Sequence, residues 1–338
     1  MHRLKLVLFI IVAAQFSCTS LWFAGNSILY DLVLNFNLGE GALGALTSAI
    51  QFGFISGTLV FAALTIADRF SPSKVFFISA VLAAICNLGL IWNSNSMFSL
   101  LIFRFFTGFF LAGIYPVGMK IAADYFEKGL GKSLGFIVGA LVLGTAFPHF
   151  LKGSSTSFSW EIIVYITSGL ALLGGVLMLV LVPNGPYRKG GATLNLSAFL
   201  KVFKNKSFKS AAFGYFGHMW ELYAFWAFVP VMLQTYVSLH SDSRINIPLY
   251  SFLIISSGSI ACVLSGYLSQ KFGVKQMALV ALSLSGLCCL LSPLLFMTDS
   301  IELFVVFLMF WGMVVIADSP MFSTLVAQNT TGELKGTA

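Results

Sequence analysis

The chain has 338 residues, 58% of them hydrophobic and only 9% charged, with a mean hydropathy of +0.92. This excludes a soluble domain, in which about a quarter of residues are charged. The net charge of +7 would suit a nucleic-acid partner if it formed a patch, but the basic residues fall in short connections between apolar runs, so no nucleic acid is expected.

Apolar runs of about 20 residues recur, each long enough to cross a hydrocarbon core of about 30 Å as a helix. The alternation of a barrel strand is missing, and lipid tolerates no other backbone, so an all-α, polytopic membrane protein is expected. Ten spans are predicted, at about 6 to 30, 42 to 66, 74 to 93, 98 to 123, 132 to 151, 161 to 183, 210 to 236, 248 to 269, 276 to 297 and 301 to 327. Alternate connections are basic. Arg3 and Lys5 precede span one, and the series continues through Arg69, Lys74, Lys120, Lys128 and Lys132. Arg188, Lys189, Lys201, Lys204, Lys206 and Lys209 follow span six, then Lys271, Lys275 and Lys335. Only Lys152 and Arg244 fall on the other side, and Arg104 within a span. The positive-inside rule then sets the N-terminus in the cytoplasm and the protein in the cell (inner) membrane as a multi-pass chain. The basic start resembles a signal peptide, but its apolar run continues through Leu21-Trp22-Phe23-Ala24 without a small-x-small cleavage site.

Span one carries Gln15, Thr19, Trp22, Asn26 and Tyr30 at steps of four, three, four and four. This polar stripe has no use against lipid and is expected to face other helices or an aqueous cavity. Between spans two and three lies Asp68-Arg69, echoed by Gln270-Lys271 between spans eight and nine. Span four holds Arg104, Gly108, Tyr115 and Pro116; span ten holds Trp311, Gly312, Asp318 and Pro320. Gly108 and Gly312, Pro116 and Pro320, and Trp22 and Trp226 are each 204 positions apart. The sequence therefore reads as a duplication: an N-terminal six-helix bundle over 1–183, a cytoplasmic linker over 184–209 and a C-terminal bundle over 210–338. Within the linker a surface helix near Leu196 to Phe203 is expected. Span five has Gly135, Gly139 and Gly144 for close helix approach; Pro148 offers a site for a gating bend, and His149 is either a pH sensor or, the reading preferred, an interfacial histidine in contact with water. Cys18, Cys86, Cys262, Cys288 and Cys289 lie within spans as packing residues. Span seven sets His218 and Glu221 three residues apart in an apolar run, a costly arrangement that marks a functional site or a buried structural pair.

These features resemble the major facilitator superfamily. The Asp68-Arg69 turn is similar to its cytoplasmic signature motif, and Arg104-x-x-x-Gly108 to a second motif associated with proton coupling. The resemblance covers essentially the whole chain. It implies two six-helix bundles rocking about a central cavity lined by spans one, four, seven and ten, with gating at Asp68 and Arg69. Leu64, Ser71 and Ser73 depart from the signature. The superfamily has twelve spans and this chain carries ten, so spans eleven and twelve are expected to be missing, and Asp68 loses the partner that the start of span eleven provides. Nitrate carriers of the superfamily have arginines in spans two and eight that are not found here.

The resemblance assigns Trp22, Asn26, Arg104, Tyr115, His218 and Trp311 to substrate binding and leaves Glu221 and Asp318 as proton-coupling candidates. The expected function is secondary active transport of a small solute, coupled to protons, by a monomer in the bilayer. For Arg104 two readings stand: it meets a carboxylate in one conformation, or it bonds carbonyls of a neighbouring helix. Glu221 likewise either carries a proton or pairs permanently with His218. A non-transporting receptor or scaffold derived from a carrier, or a gene fragment, is the alternative. An enzyme is least expected, and no cofactor or metal is expected, because no span shows ligand spacing or a nucleophile with its base.

Overall fold

The computed structural model describes residues 2–126, 130–154, 158–188, 203–240 and 245–329. Lys128, Lys189, Lys201, Arg244, Lys335 and all but the last residue of the expected surface helix lie outside them. Every regular element among the described residues is helical. Among the described residues nine helical stretches are long and apolar enough to cross a membrane, from Ala42–Ala63 to Ile301–Val326, and the first span adds a shorter apolar helix, Leu4–Thr19. The protein is a multi-pass membrane protein.

Span one departs from the expected continuous run. Its main helix, His2–Thr19, stops, and the chain resumes as Ala24–Ser27 and Leu29–Phe36. Thr19 Oγ1 bonds back to the Gln15 carbonyl at 2.8 Å and Ser20 Oγ to that of Ser17 at 2.7 Å. Such back-bonding offers the backbone an alternative to the helix, and the four residues before Ala24 take it. The polar stripe is thereby split: Gln15, Thr19 and Trp22 are fully buried, while Tyr30 is 74% exposed.

Spans four and ten break in matching places, for a reason legible in the sequence. Proline lacks an N–H and disfavours helix in the residue before it, so it suits the first turn of a new helix. Span four is Met97–Leu111 followed by Tyr115–Tyr125, with Pro116 in the first turn; span ten is Ile301–Ala317 followed by Ser319–Gln328, with Pro320 there. By contrast Pro148 lies inside the helix Leu130–Ser154, and Pro230 inside Lys206–Leu239.

Glycine packing repeats the 204-residue offset. A Cβ on Gly108 would collide with the Ile50 carbonyl of span two, and one on Gly312 would come within 2.5 Å of the Ile254 carbonyl of span eight. At the next pair, Gly53 lies against the Phe105 carbonyl, whereas Ser257 donates to the Met309 carbonyl at 3.1 Å. Span two therefore packs on span four as span eight packs on span ten. Spans five and eight, Leu130–Ser154 and Ile247–Phe272, run against each other along their length. Gly135 and Gly139 approach the carbonyls of Cys262 and Ser259, and Asn246 Nδ2 donates to the Gly153 carbonyl at 2.8 Å. His149 is only 2% exposed and its Nε2 has no partner, which corrects the expectation of a water-contacting histidine.

Candidate functional site

The break in span one leaves backbone carbonyls without helical donors, and a buried acceptor must find a partner. Arg104, fully buried in span four, supplies it. Its Nη2 donates to the Trp22 carbonyl at 2.6 Å and to Asn26 Oδ1 at 3.3 Å, and its Nη1 to the Leu21 carbonyl at 3.3 Å. Asn26 is held in turn, its Nδ2 donating to Thr47 Oγ1 of span two at 2.8 Å. Gly25 lets the guanidinium approach: a Cβ there would meet Arg104 Nε at 3.0 Å. The arrangement matches the carbonyl-bonding reading of Arg104, and no carboxylate is among its partners.

Trp22 is fully buried and its ring stacks on Tyr223 of span seven, with centroids 5.4 Å apart and planes at 19°. Phe54 of span two flanks it at 4.7 Å, and Trp226 closes edge-on over Phe23 at 6.0 Å and over Tyr223 at 5.6 Å. Neither indole Nε1, of Trp22 or of Trp226, has a hydrogen-bond partner. About two helical turns towards the basic end, Tyr115 of span four is buried beside Tyr215 of span seven, and Ser323 Oγ of span ten donates to the Tyr215 hydroxyl at 3.2 Å. An aromatic wall thus joins spans one and four to spans seven and ten.

Behind that wall lies an ionisable pair. His218 Nδ1 stands 2.8 Å from Asp318 Oδ1, with the imidazole fully buried between Tyr215 and Phe322 and the carboxylate only 1% exposed. The approach is close but badly angled. Neither ring nitrogen of His218 nor Asp318 Oδ1 has a partner in hydrogen-bonding geometry. Asp318 occupies the break of span ten, at the position corresponding to Ile114 in span four, where it precedes the helix Ser319–Gln328 without capping it through its side chain.

Glu221 is not the partner of His218, which corrects the permanent-pair reading. It is half-buried and accepts from Ser285 Oγ of span nine, and Ser285 accepts from Trp311 Nε1 of span ten at 3.1 Å. Glu221 and Trp311 therefore belong to one chain of hydrogen bonds on the side of span seven facing spans nine and ten. Trp22, Asn26 and Arg104 belong to the opposite half.

At the basic end, Asp68 pairs with Lys120 of span four at 2.6 Å, and Lys120 also lies 3.8 Å from Asp124. Asp68 thus finds its partner within its own half. Arg69 is exposed and reaches over the Phe70 ring at 6.0 Å. The chain after span six is stitched to this end: Ser73 Oγ donates to the Val182 carbonyl, Ser71 Oγ to Asn184 Oδ1, Tyr125 to the Pro183 carbonyl, and Arg188 Nη2 to the Phe70 carbonyl.

The sequence did not point to Tyr215, Tyr223, Ser285 or Lys120 as members of these sites. Tyr215 and Tyr223 flank His218 within span seven and could have been found by their spacing. Ser285 is one of several small polar residues in span nine and carries no signal of its own.

Comparison with known proteins accounts for this architecture. Residues 8–338 match the Major Facilitator Superfamily, and the chain belongs to it. It is 33% identical over 134 residues to an uncharacterized transporter, mfc1, of Schizosaccharomyces pombe, a stretch covering 38% of this chain and 26% of that protein. It is 28% identical over 178 residues to an uncharacterized transporter of Buchnera aphidicola subsp. Baizongia pistaciae, covering 51% and 42% respectively. The chain thus aligns with less than half the length of either relative. Its fold resembles the crystal structure of a bacterial homologue of the human lysosomal transporter Spinster in an inward-facing, unoccupied conformation. That match has a TM-score of 0.68 at 16% identity, over 98% of this chain and 77% of the other.

Proposed function

We propose that the protein is a secondary active transporter that moves a small solute by alternating access and couples that movement to protons. The two halves, 1–183 and 210–338, would rock about the contact between spans five and eight, with 184–209 as the cytoplasmic linker. The protein would work as a monomer in the cell (inner) membrane with its N-terminus in the cytoplasm, the orientation that the basic connections favour. Transporter-named relatives and membership of the superfamily support the class.

The observation that carries the proton coupling is the His218–Asp318 pair, buried at 2.8 Å without a hydrogen bond. An ionisable pair inside a membrane is expensive and persists where it faces a partner or a pathway. The loose geometry leaves each group free to exchange its partner when the halves move. Proton and solute would then bias one two-state equilibrium, which is the physical content of coupling. Arg104 has the contrary role, a fixed charge joining span four to the broken span one. Asp68 with Lys120, beside Arg69, would form a latch within the N-terminal half.

The test is flux in proteoliposomes, across a panel of small organic anions, sugars and drugs, with and without a pH gradient. A pH gradient should drive accumulation of one class, and Asp318→Asn should abolish accumulation while sparing exchange. Gradient-driven flux unchanged in Asp318→Asn would remove the pair from the mechanism.

A further inference from the structure

Resting on the transport reading, we infer that the solute is a bulky lipophilic organic cation, its charge set towards Asp318 and its apolar groups against Trp22, Tyr223 and Trp226. The buried acidic, basic and imidazole side chains among the described residues are Arg104, Asp124, His149, His218 and Asp318. Arg104 is taken up by three oxygens of span one, and Asp124 belongs with Lys120 at the basic end. At the wall between the halves this leaves Asp318, with an oxygen that accepts from nothing, and His218, which stands against it. Glu221 adds a second carboxylate nearby, bonded to Ser285. His218 and Asp318 offset one another, and Glu221 adds a second carboxylate, so two carboxylates face one imidazole and the site favours a cation over an anion.

The walls agree with the charge. The faces of Trp, Tyr and Phe attract cations, and aromatic cages are a recurrent way of holding ammonium-type ligands. Trp22, Phe54, Tyr223 and Trp226 make such a set where spans one and two meet span seven. His218 and Trp226 lie eight residues apart on one helix, or about 12 Å along its axis at 1.5 Å per residue, so a ligand that meets both must be large. In this structure Trp22 rests directly on Tyr223. These are the two surfaces that a ligand would separate.

Tetraphenylphosphonium and tetraphenylborate have nearly the same size and shape and opposite charge. Purified protein in detergent, titrated with each while tryptophan fluorescence is followed, reads the preference directly. The phosphonium is expected to bind saturably, with a Kd about tenfold or more below that of the borate. Asp318→Asn that still elutes as a folded species should lose the preference, and Asp318→Glu should keep it. Equal affinities, a preference for the borate, no saturable binding of either ion, or a folded Asp318→Asn that retains the preference would each overturn the inference. No gradient enters the measurement, so the two readings separate. Phosphonium binding without pH-driven flux contradicts transport alone, and pH-driven flux with a borate preference removes only the cationic solute.

Discussion

Span four buries a guanidinium and span ten a carboxylate, in helices that share a break, a proline after the break and a glycine before it. Yet the two charges are held differently. Arg104 reaches three oxygens and fills the gap left where span one unwinds. Asp318 sits in the break of its own helix, near one imidazole, and its Oδ1 has no hydrogen bond. A duplicated framework has thus been given one charge that is tied down and one that is left loose. The tied charge suits architecture; the loose one suits exchange.

Four tests, with five substitutions, press on that contrast. The largest effect is expected from Asp318→Asn, which keeps the shape and removes the titrating group. Gradient-driven accumulation should fall by about tenfold or more, in the range of coupling free energies between linked sites, while exchange persists. Arg104→Ala should act on folding instead. It strands buried carbonyls at Leu21 and Trp22, at about 1–3 kcal/mol for each unsatisfied group, so a loss of about 3 kcal/mol or more is expected in detergent unfolding. Unchanged stability with lost ligand binding would make Arg104 a binding residue.

The third test concerns the shared framework. Gly108→Ala and Gly312→Ala should both destabilise, by about 1–3 kcal/mol as overpacked cores do, with Gly108 the worse because its Cβ would lie deeper in the Ile50 carbonyl. If thermal unfolding shows one of them to be neutral, the packing is not equivalent in the two halves. The smallest effect belongs to Glu221→Gln, whose amide oxygen can still accept from Ser285. A neutral hydrogen bond there should differ by only about 1 kcal/mol, so flux should stay within about fivefold of wild type. A loss as deep as that of Asp318→Asn would move the proton site to Glu221.

Much of this was legible in the residues. The spans follow from hydropathy, and the 204-residue offset recurs in the contacts of Gly108 with Ile50 and of Gly312 with Ile254. The breaks of spans four and ten could be anticipated from Pro116 and Pro320. That of span one could not, because it has no proline, only Ser17, Thr19 and Ser20, which are common inside membrane helices. The partner of His218 was also hidden. A spacing of three places Glu221 on roughly the same face, but about 60° round the helix at 3.6 residues per turn, and tertiary packing brings Asp318 of span ten closer. Ser285, which joins Glu221 to Trp311, became visible only when spans seven, nine and ten were set together.

Infrared difference spectroscopy of the purified protein, titrated from high to low pH, tests most directly whether Asp318 takes up a proton within the membrane. A protonated carboxylic acid has a C=O stretch distinct from that of a carboxylate. A buried acid band should grow as the pH falls, persist in Glu221→Gln and vanish in Asp318→Asn. A band that survives in Asp318→Asn and disappears in Glu221→Gln would contradict the account.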